Sequence, residues 1–320
     1  MPDLPADRLD PLEDLLATLD LEELGSAQVS VTPTELFAGL DQADTGAQQV
    51  TLFRGKSQKM PHGRVFGGQV LAQGVMACGR TVDATEHPAR RLHSLHAYFM
   101  RPGDDTQPIT FSVERMRDGR SFSTRRAHAI QHGKPILSMS TSFQDPADGM
   151  EHQDPMPEVP GPLEVPSLDD IFGALDDPRL ERLSWLRPIE MRHVEGNIFV
   201  MPGHERVARN HVWMRTPGHL PDDPLIHDAV LAYASDYTLL ESVLRRHGRA
   251  WNEEGMRTAS LDHAMWFHRR ARADEWILYA QESPSAQGHR GLALGRMFTA
   301  EGTLIATVAQ EGMIRFRDLP

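Results

Sequence analysis

Two parts of the chain share one pattern, an apolar helix-like stretch accompanied by runs in which hydrophobic and polar residues alternate. In the first part, residues 70–82 are apolar and rich in small side chains. Gly74 and Gly79 would weaken this segment as an isolated helix, but small residues let a buried helix lie close against a sheet. Period-two alternation between Gly-containing turns predicts strands. The predicted strands are 49–54, 93–100, 109–116, 123–131 and 136–143.

The second part repeats this arrangement. Residues 225–246 are predicted to form a helix, and Asp222, Asp223 and Pro224 precede it. These residues can cap its start, because an Asp side chain accepts first-turn N–H groups and proline fits the first helical position. The predicted strands of this part are 205–216, 258–268, 276–282, 291–298 and 303–314.

The two parts match each other at a nearly constant separation of 167 to 169 residues. The matched positions are Leu71 with Leu239, Val75 with Val243, His96-Ala97 with His263-Ala264, and Gly133 with Gly302. Such an internal repeat indicates a duplicated structural unit. Each unit is one helix plus antiparallel strands, which is typical of a hotdog. We therefore expect an α+β tandem hotdog, with two long helices wrapped by a continuous antiparallel sheet.

Composition along the chain predicts four regions. Residues 1–48 form an N-terminal extension with a short acidic helix at 10–24 and a variable polar connection at 28–48. The first hotdog is expected at 49–145 and the second at 191–320. Six prolines within residues 146–166 predict that 146–190 is an interdomain linker.

Charge and cysteine content narrow the functional classes. A net charge of −12 disfavours nonspecific nucleic-acid binding, which needs a basic surface. The only cysteine, Cys78, cannot form an internal disulfide or a Cys-based zinc site. The acidic N-terminus lacks the basic region of a signal peptide, and no stretch reaches the ~20 apolar residues of a membrane span. We expect a cytoplasmic protein without metal, cofactor or membrane association.

Several motifs together resemble the bacterial acyl-CoA thioesterase II family. They occur in the family's order and extend from about residue 50 to the C-terminus. The motifs are RVFGGQ at 64–69, HSLHAYFMRPGD at 93–104, AYASDY at 232–237, LDHAMWFH at 261–268 and VAQEG at 308–312. The resemblance implies an acyl-CoA thioester hydrolase that releases fatty acid and CoA, and a homo-oligomer, either a dimer or a tetramer.

The resemblance also implies the residues that hold the attacking water. These are Asp236, Gln310 and Ser260, where Ser260 stands in place of the family's Thr. A carboxylate can accept the water's proton, while a hydroxyl and a carboxamide fix the water and support developing negative charge. Backbone N–H groups of Gly67 and Gly68, at the start of the first helix, are expected to polarise the thioester carbonyl.

Each of these residues also has a structural interpretation. Asp236 could cap a helix or pair with a cation, Gln310 could satisfy neighbouring backbone groups, and Ser260 could be a strand-surface hydroxyl. His96 and His263 fall at equivalent repeat positions, where we expect core histidines with satisfied nitrogens.

Basic side chains offer a site for the phosphates of CoA. Arg120, Arg125 and Arg126 lie near a predicted hairpin turn, and Arg290 lies in the repeat-equivalent region. Arginines match phosphate charge and geometry. The structural alternative is a solvated hairpin face.

Two rival functions remain open at this stage. The first is a hotdog enoyl-CoA hydratase, because Asp222 and His227 have the five-residue spacing of such enzymes. The Ser-Gly-Asp pattern that accompanies the pair in those enzymes is missing. The second is a non-catalytic acyl-CoA binding protein.

Overall fold

The sheet of this protein joins both repeats into one antiparallel structure. The structure is a computed structural model, which describes residues 10–30, 47–61, 63–87, 89–173, 187–199, 203 and 205–316. Its strands are β1 (Glu22–Ser30), β2 (Ala47–Gly55), β3 (Arg91–Phe99), β4 (Ile109–Asp118), β5 (Phe122–Gln131), β6 (Lys134–Gln144), β7 (Glu190–His193), β8 (Arg209–Arg215), β9 (Arg257–Ser260), β10 (Asp262–Phe267), β11 (Ile277–Gln287), β12 (Arg290–Thr299) and β13 (Leu304–Arg315).

The strand order has the symmetry of a duplicated unit. It runs β1-β2-β4-β5-β6-β3 in the first half and β10-β13-β12-β11-β8-β7 in the second. β3 and β10 pair in the middle, where Ala264 lies opposite His96 and His263 opposite Ala97. β9 lies off this path and pairs with β13. The architecture is a tandem hotdog, as predicted.

Helices cover one face of this sheet. They are α1 (Pro11–Leu19), α2 (Gly67–Gly79), α3 (Leu168–Gly173), α4 (Pro224–Ser235) and α5 (Glu241–His247). α2 packs on β4, β5 and β6, whereas α5 packs on β8, β11 and β12. Every α2 residue from Gly68 to Cys78 is buried. This burial explains why a glycine-containing segment is helical, since packing overrides propensity. Within the described residues, no helix is long and apolar enough to cross a membrane.

The prediction of one helix over residues 225–246 was wrong. α4 begins after Asp223, whose carboxylate accepts the N–H of Leu225, and it ends at Ser235. The chain bends at 236–240 before α5 begins at Glu241. Asp236 is the C-cap of α4, and its side chain bonds to Ser260 rather than lying along a helix. A tertiary contact that the hydrophobic pattern does not encode therefore divides the helix.

Two predictions at the N-terminal end also needed correction. The helix predicted over 10–24 ends at Leu19, and the chain continues as β1, which pairs with β2. Residues 28–30 and 47–48, expected in a variable connection, belong to β1 and β2. Residues 31–46 of that connection lie outside the described residues.

The strand predicted over 258–268 is interrupted at Leu261. The Leu261 N–H donates to the carbonyl of Glu311, and its carbonyl accepts the N–H of Phe99. β9 therefore ends at Ser260 and β10 begins at Asp262. The interruption places Ser260 at a strand end, beside β13.

The proline-rich segment is packed against the second hotdog. We call residues 151–165 the strap. Gln153 bonds to the carbonyl of Gly302 and to the N–H of Leu304, and the Trp213 indole donates to the carbonyl of Pro160. The strap covers a second apolar cluster on the sheet face opposite the helices. Its buried members are Val165, Trp213, Leu278, Ala280, Phe298 and Leu304.

Candidate active site

The candidate site lies where the beginning of α2 meets the bend between α4 and α5. A Cβ atom added to Gly67 would lie 2.6 Å from Oδ2 of Asp236, and one added to Gly68 would lie 2.3 Å from the carbonyl oxygen of Tyr233. Real Cβ atoms do not come this close to such oxygens. The Gly-Gly pair is therefore needed for the backbone to approach the carboxylate so closely.

Three predicted site residues converge here. The Ser260 hydroxyl donates to Oδ1 of Asp236 at 3.1 Å, and Nε2 of Gln310 donates to Ser260 Oγ at 3.0 Å. Gln310 is buried, on the helix-facing side of β13. The three residues are distant in sequence. Asp236 lies at the bend after α4, Ser260 at the end of β9 and Gln310 in β13.

Burial and hydrogen bonding set the protonation of Asp236. Burial raises the pKa of its carboxyl to about 6, against the hydrogen bonds from Gln310, Ser260 and the backbone N–H of Gly68, which lower it. A carboxylate with this pKa is mostly ionised at neutral pH and is a stronger base than an exposed aspartate. It is suited to accept a proton from water near neutral pH.

The backbone N–H of Gly68 interacts with the Asp236 carboxylate and lowers its pKa. This N–H therefore helps to keep the carboxylate ionised. Its expected role in polarising the thioester carbonyl, shared with Gly67, stays a prediction. Gly67 lies beside the same carboxylate and the ring of Phe99.

Sequence reasoning missed the role of His263 and Ser235 as neighbours of the site. Nδ1 of His263 lies 2.5 Å from Oε1 of Gln310, and Nε2 lies 2.9 Å from the hydroxyl of Ser235. His263 was expected to be a satisfied core histidine, and it is buried with both nitrogens in hydrogen bonds. What the pattern did not show is that one partner is Gln310. Burial lowers the pKa of the His263 imidazole to about 4, so the ring is neutral.

His96 was expected to match His263, and this prediction was wrong. His96 is exposed and packs against the ring of Trp266, with the ring centroids 5.2 Å apart. In the β3–β10 pairing, His96 lies opposite Ala264 and shares its face, whereas His263 shares a face with Ala97. The repeat register at this strand differs by one residue, and one residue moves a side chain to the other face.

Arg125 cannot serve as a CoA-binding residue in this structure. Its side chain is fully buried, donates to Thr81 through Nε at 2.8 Å and pairs with Asp118 at 2.7 Å. An internal guanidinium whose donors are engaged is not accessible to a phosphate. Arg120 and Arg126 are exposed near the same hairpin, and Arg290 is exposed and pairs with Glu311 at 2.9 Å.

The Asp222–His227 pair expected of an enoyl-CoA hydratase is not formed. Asp222 is exposed and pairs with Arg272 at 2.6 Å. Nδ1 of His227 accepts the backbone N–H of Ala273 at 3.1 Å. Both residues lie at the beginning of α4, away from the convergence around Asp236 at its end.

The structure gives no support to a cysteine nucleophile or to a metal site among the described residues. Burial raises the pKa of the Cys78 thiol to about 12, which keeps it protonated and unreactive. In the described part of the chain, no group of three or more His, Cys, Asp or Glu side chains could hold a metal ion.

Comparison with known proteins identifies relatives that match both halves of the chain. Residues 187–313 match the family model of acyl-CoA thioesterase, and residues 56–144 match that of the acyl-CoA thioesterase N-terminal domain. Acyl-CoA thioesterase 2 of Haemophilus influenzae is 40% identical over 272 residues, which are 83% of this chain and 93% of the relative. Acyl-coenzyme A thioesterase 8 of Homo sapiens is 40% identical over 83% of this chain and 85% of the relative.

A solved structure extends the match to the whole fold. The crystal structure of an acyl-CoA thioesterase II from Mycobacterium marinum has a TM-score of 0.72 and 39% identity, covering 95% of this chain and 99% of that one. The sequence identity, the coverage and the two matching family models show that this chain belongs to the acyl-CoA thioesterase family.

Proposed function

We propose that this protein hydrolyses fatty acyl-CoA to free fatty acid and CoA, using a water activated at Asp236, Ser260 and Gln310. The observation that carries the proposal is their convergence on one half-buried carboxylate whose pKa is about 6. A carboxylate withdrawn from water is costly unless it is paired or used. Among the described residues that set its pKa, Asp236 has hydrogen-bond donors and no cation.

The proposed reaction proceeds through direct attack of water. Asp236 takes one proton from the water, whose oxygen bonds to the thioester carbonyl carbon. The resulting tetrahedral intermediate collapses as the carbon–sulfur bond breaks. The proton on Asp236 then passes to the departing thiolate, giving fatty acid and CoA thiol. Ser260 and Gln310 orient the water and stabilise the negative charge that develops. A thioester carbonyl is electrophilic enough for this step without a covalent enzyme intermediate.

Exposed arginines are proposed to bind the phosphates of CoA. Arg120 and Arg126 are exposed near the β4–β5 hairpin, and Arg290 lies at the equivalent hairpin of the second half. Arginine recognises phosphate by charge and by paired N–H donors. The overall negative charge of the chain does not oppose this, because local charge controls a small anionic ligand.

Thiol release from short-, medium- and long-chain acyl-CoA tests the proposal. We expect free thiol with at least one chain length, and loss of most turnover in Asp236→Asn with the fold preserved. Binding without thiol release across the whole panel would support a non-catalytic binding protein. Loss of enoyl absorbance from crotonyl-CoA without free thiol would support a hydratase instead.

The remaining features of the proposal concern organisation and location. We propose that residues 49–145 and 191–320 are the two hotdog units and that the helix-bend site belongs to the second. We also propose that the protein acts in the cytoplasm as a homodimer or homotetramer. Light scattering coupled to size-exclusion chromatography distinguishes both oligomers from a monomer.

A further inference from the structure

A chain of side-chain hydrogen bonds runs through the candidate site and beyond it. It connects Ser235, His263, Gln310, Ser260 and Asp236 in that order, with donor–acceptor distances of 2.9, 2.5, 3.0 and 3.1 Å. Only the last three residues are used in the proposed hydrolysis. The first two are buried and have no role there.

The direction of each hydrogen bond follows from the Asp236 end. An ionised carboxylate only accepts, so the single hydroxyl hydrogen of Ser260 is donated to it. The contact between Ser260 and Gln310 must then use an N–H of the Gln310 amide. The amide group therefore faces Ser260, and its carbonyl oxygen faces His263.

The same reasoning fixes the tautomer of His263. The Gln310 carbonyl only accepts, so Nδ1 of His263 carries the hydrogen. Because the ring is neutral, Nε2 has no hydrogen and accepts the hydroxyl of Ser235. The Ser235 hydroxyl also lies 2.8 Å from the carbonyl oxygen of Ala232, to which it donates when it is not bonded to Nε2. A hydroxyl has only one hydrogen, so the Nδ1–H tautomer requires Ser235 to donate to His263 and not to Ala232.

A flipped Gln310 amide would disable the site. Its carbonyl would face Ser260 and compete with Asp236 for the one hydroxyl hydrogen. It would also remove the Gln310 N–H groups from the carboxylate, where they lower the pKa of Asp236. Nδ1–H of His263 opposes this flip, because the amide NH₂ would then face another donor.

We propose that His263 is a positioning residue that holds the Gln310 amide in its donating orientation through an Nδ1–H tautomer. This inference rests on the proposed role of Gln310 in water activation. His263 does not touch the substrate in this scheme. It acts through Gln310.

Nitrogen NMR on the folded protein tests the tautomer without measuring catalysis. With ¹⁵N-labelled histidine at pH 7, we expect the His263 ring to be neutral, with its proton on Nδ1 and a bare Nε2. His263→Leu identifies the resonance, because its signal alone should disappear. A proton on Nε2, or a charged ring, would overturn the proposal.

Matched substitutions test the consequence for turnover. The amide nitrogen of Asn lies close to the position of the histidine Nδ1, so His263→Asn retains a donor toward Gln310, whereas His263→Leu fills the buried space without one. We expect kcat to fall about 10- to 100-fold in His263→Leu, the scale of loss for a misplaced reacting group, with KM within about twofold. His263→Asn should recover a substantial part of that loss.

Two further variants separate the possible failures. His96→Ala removes an exposed histidine from the neighbouring strand and should retain wild-type kcat. Gln310→Ala should lose turnover if the proposed function is right. Inactive Gln310→Ala together with wild-type kcat in His263→Leu would refute only the positioning role, whereas active Gln310→Ala would refute the role of Gln310 itself. A packing role for His263 predicts that Leu is tolerated at least as well as Asn.

Discussion

The ionisation of Asp236 should determine how the activity depends on pH. The pKa of its carboxyl is about 6, because burial outweighs three hydrogen bonds that stabilise the charged form. Only the ionised form can accept the proton of water, so kcat/KM should rise as pH increases through 6. A group of that pKa is about 9% ionised at pH 5 and about 91% at pH 7, which predicts an increase of about tenfold.

Removing one hydrogen-bond donor should move this transition in a predictable direction. Ser260→Ala deletes the hydroxyl that donates to Asp236. A hydrogen bond to a charged group contributes about 1.5 kcal/mol, and one pKa unit corresponds to about 1.4 kcal/mol. The midpoint should therefore rise by about one unit, to about 7, because the charged form loses support. Ser260→Thr keeps the hydroxyl and should keep the wild-type midpoint.

The assay is initial-rate thiol release at substrate concentrations well below KM, from pH 4.5 to 8.5. This regime gives kcat/KM, which reports groups of the free enzyme and of the free substrate. The CoA phosphates titrate identically for every variant. A difference in the pH midpoint between variants therefore reports a group of the enzyme. A wild-type midpoint below about 4.5, or an unchanged midpoint in Ser260→Ala, would refute the assignment of Asp236 as the base.

Further predictions concern packing and binding. Gly67→Ala should abolish most turnover, because its Cβ would lie 2.6 Å from Oδ2 of Asp236. Gly149→Ala, where no atom lies within 4 Å of the added Cβ, should behave as wild type in the same assay. Arg125→Ala should reduce the free energy of unfolding in urea by about 3 kcal/mol or more, because it leaves buried acceptors unpaired. Arg126→Ala should instead raise KM for acyl-CoA and change the free energy of unfolding by no more than about 0.5 kcal/mol. Trp213→Phe should lower stability by about 1 kcal/mol through loss of its hydrogen bond to the strap, and an unchanged urea midpoint would show that this bond contributes nothing.

Much of the architecture was predictable because one physical signal dominates it. Alternation of apolar and polar residues marked the strands, since each strand presents one face to the helices. β4, predicted at 109–116, spans Ile109–Asp118, and β12, predicted at 291–298, spans Arg290–Thr299. The repeat then indicated that both halves have the same topology, which the strand order confirms.

The errors arise where tertiary contacts override local pattern. The hydrophobic positions of 225–246 continue across the bend, so only the partners of Asp236 reveal that the helix divides there. Arg125 is indistinguishable in sequence from Arg126, yet the pleat turns the first into the interior and the second outward. Alternation alone assigns the two arginines to opposite faces of the strand. It does not show which of them is buried.

The candidate site was predictable in its members but not in its connections. Asp236, Ser260 and Gln310 came from the resemblance and lie in hydrogen-bond contact. The bond between His263 and Gln310 joins two strands, so sequence spacing could not show it. The one-residue difference in repeat register also misled the prediction, because sequence spacing made His96 look equivalent to His263.

The strap makes the two halves of the duplication unequal. The outer face of the first half carries polar side chains such as Ser112, Ser138 and Ser140, which tolerate water without a cover. The second half presents Leu278 and Phe298 on that face, in a buried cluster that includes Met156, Val159 and Val165 of the strap. A gene fragment starting at residue 187 would therefore produce a hotdog with an exposed apolar sheet face, which favours aggregation. Any attempt to separate, swap or circularly permute the halves must keep residues 151–165 with the second one.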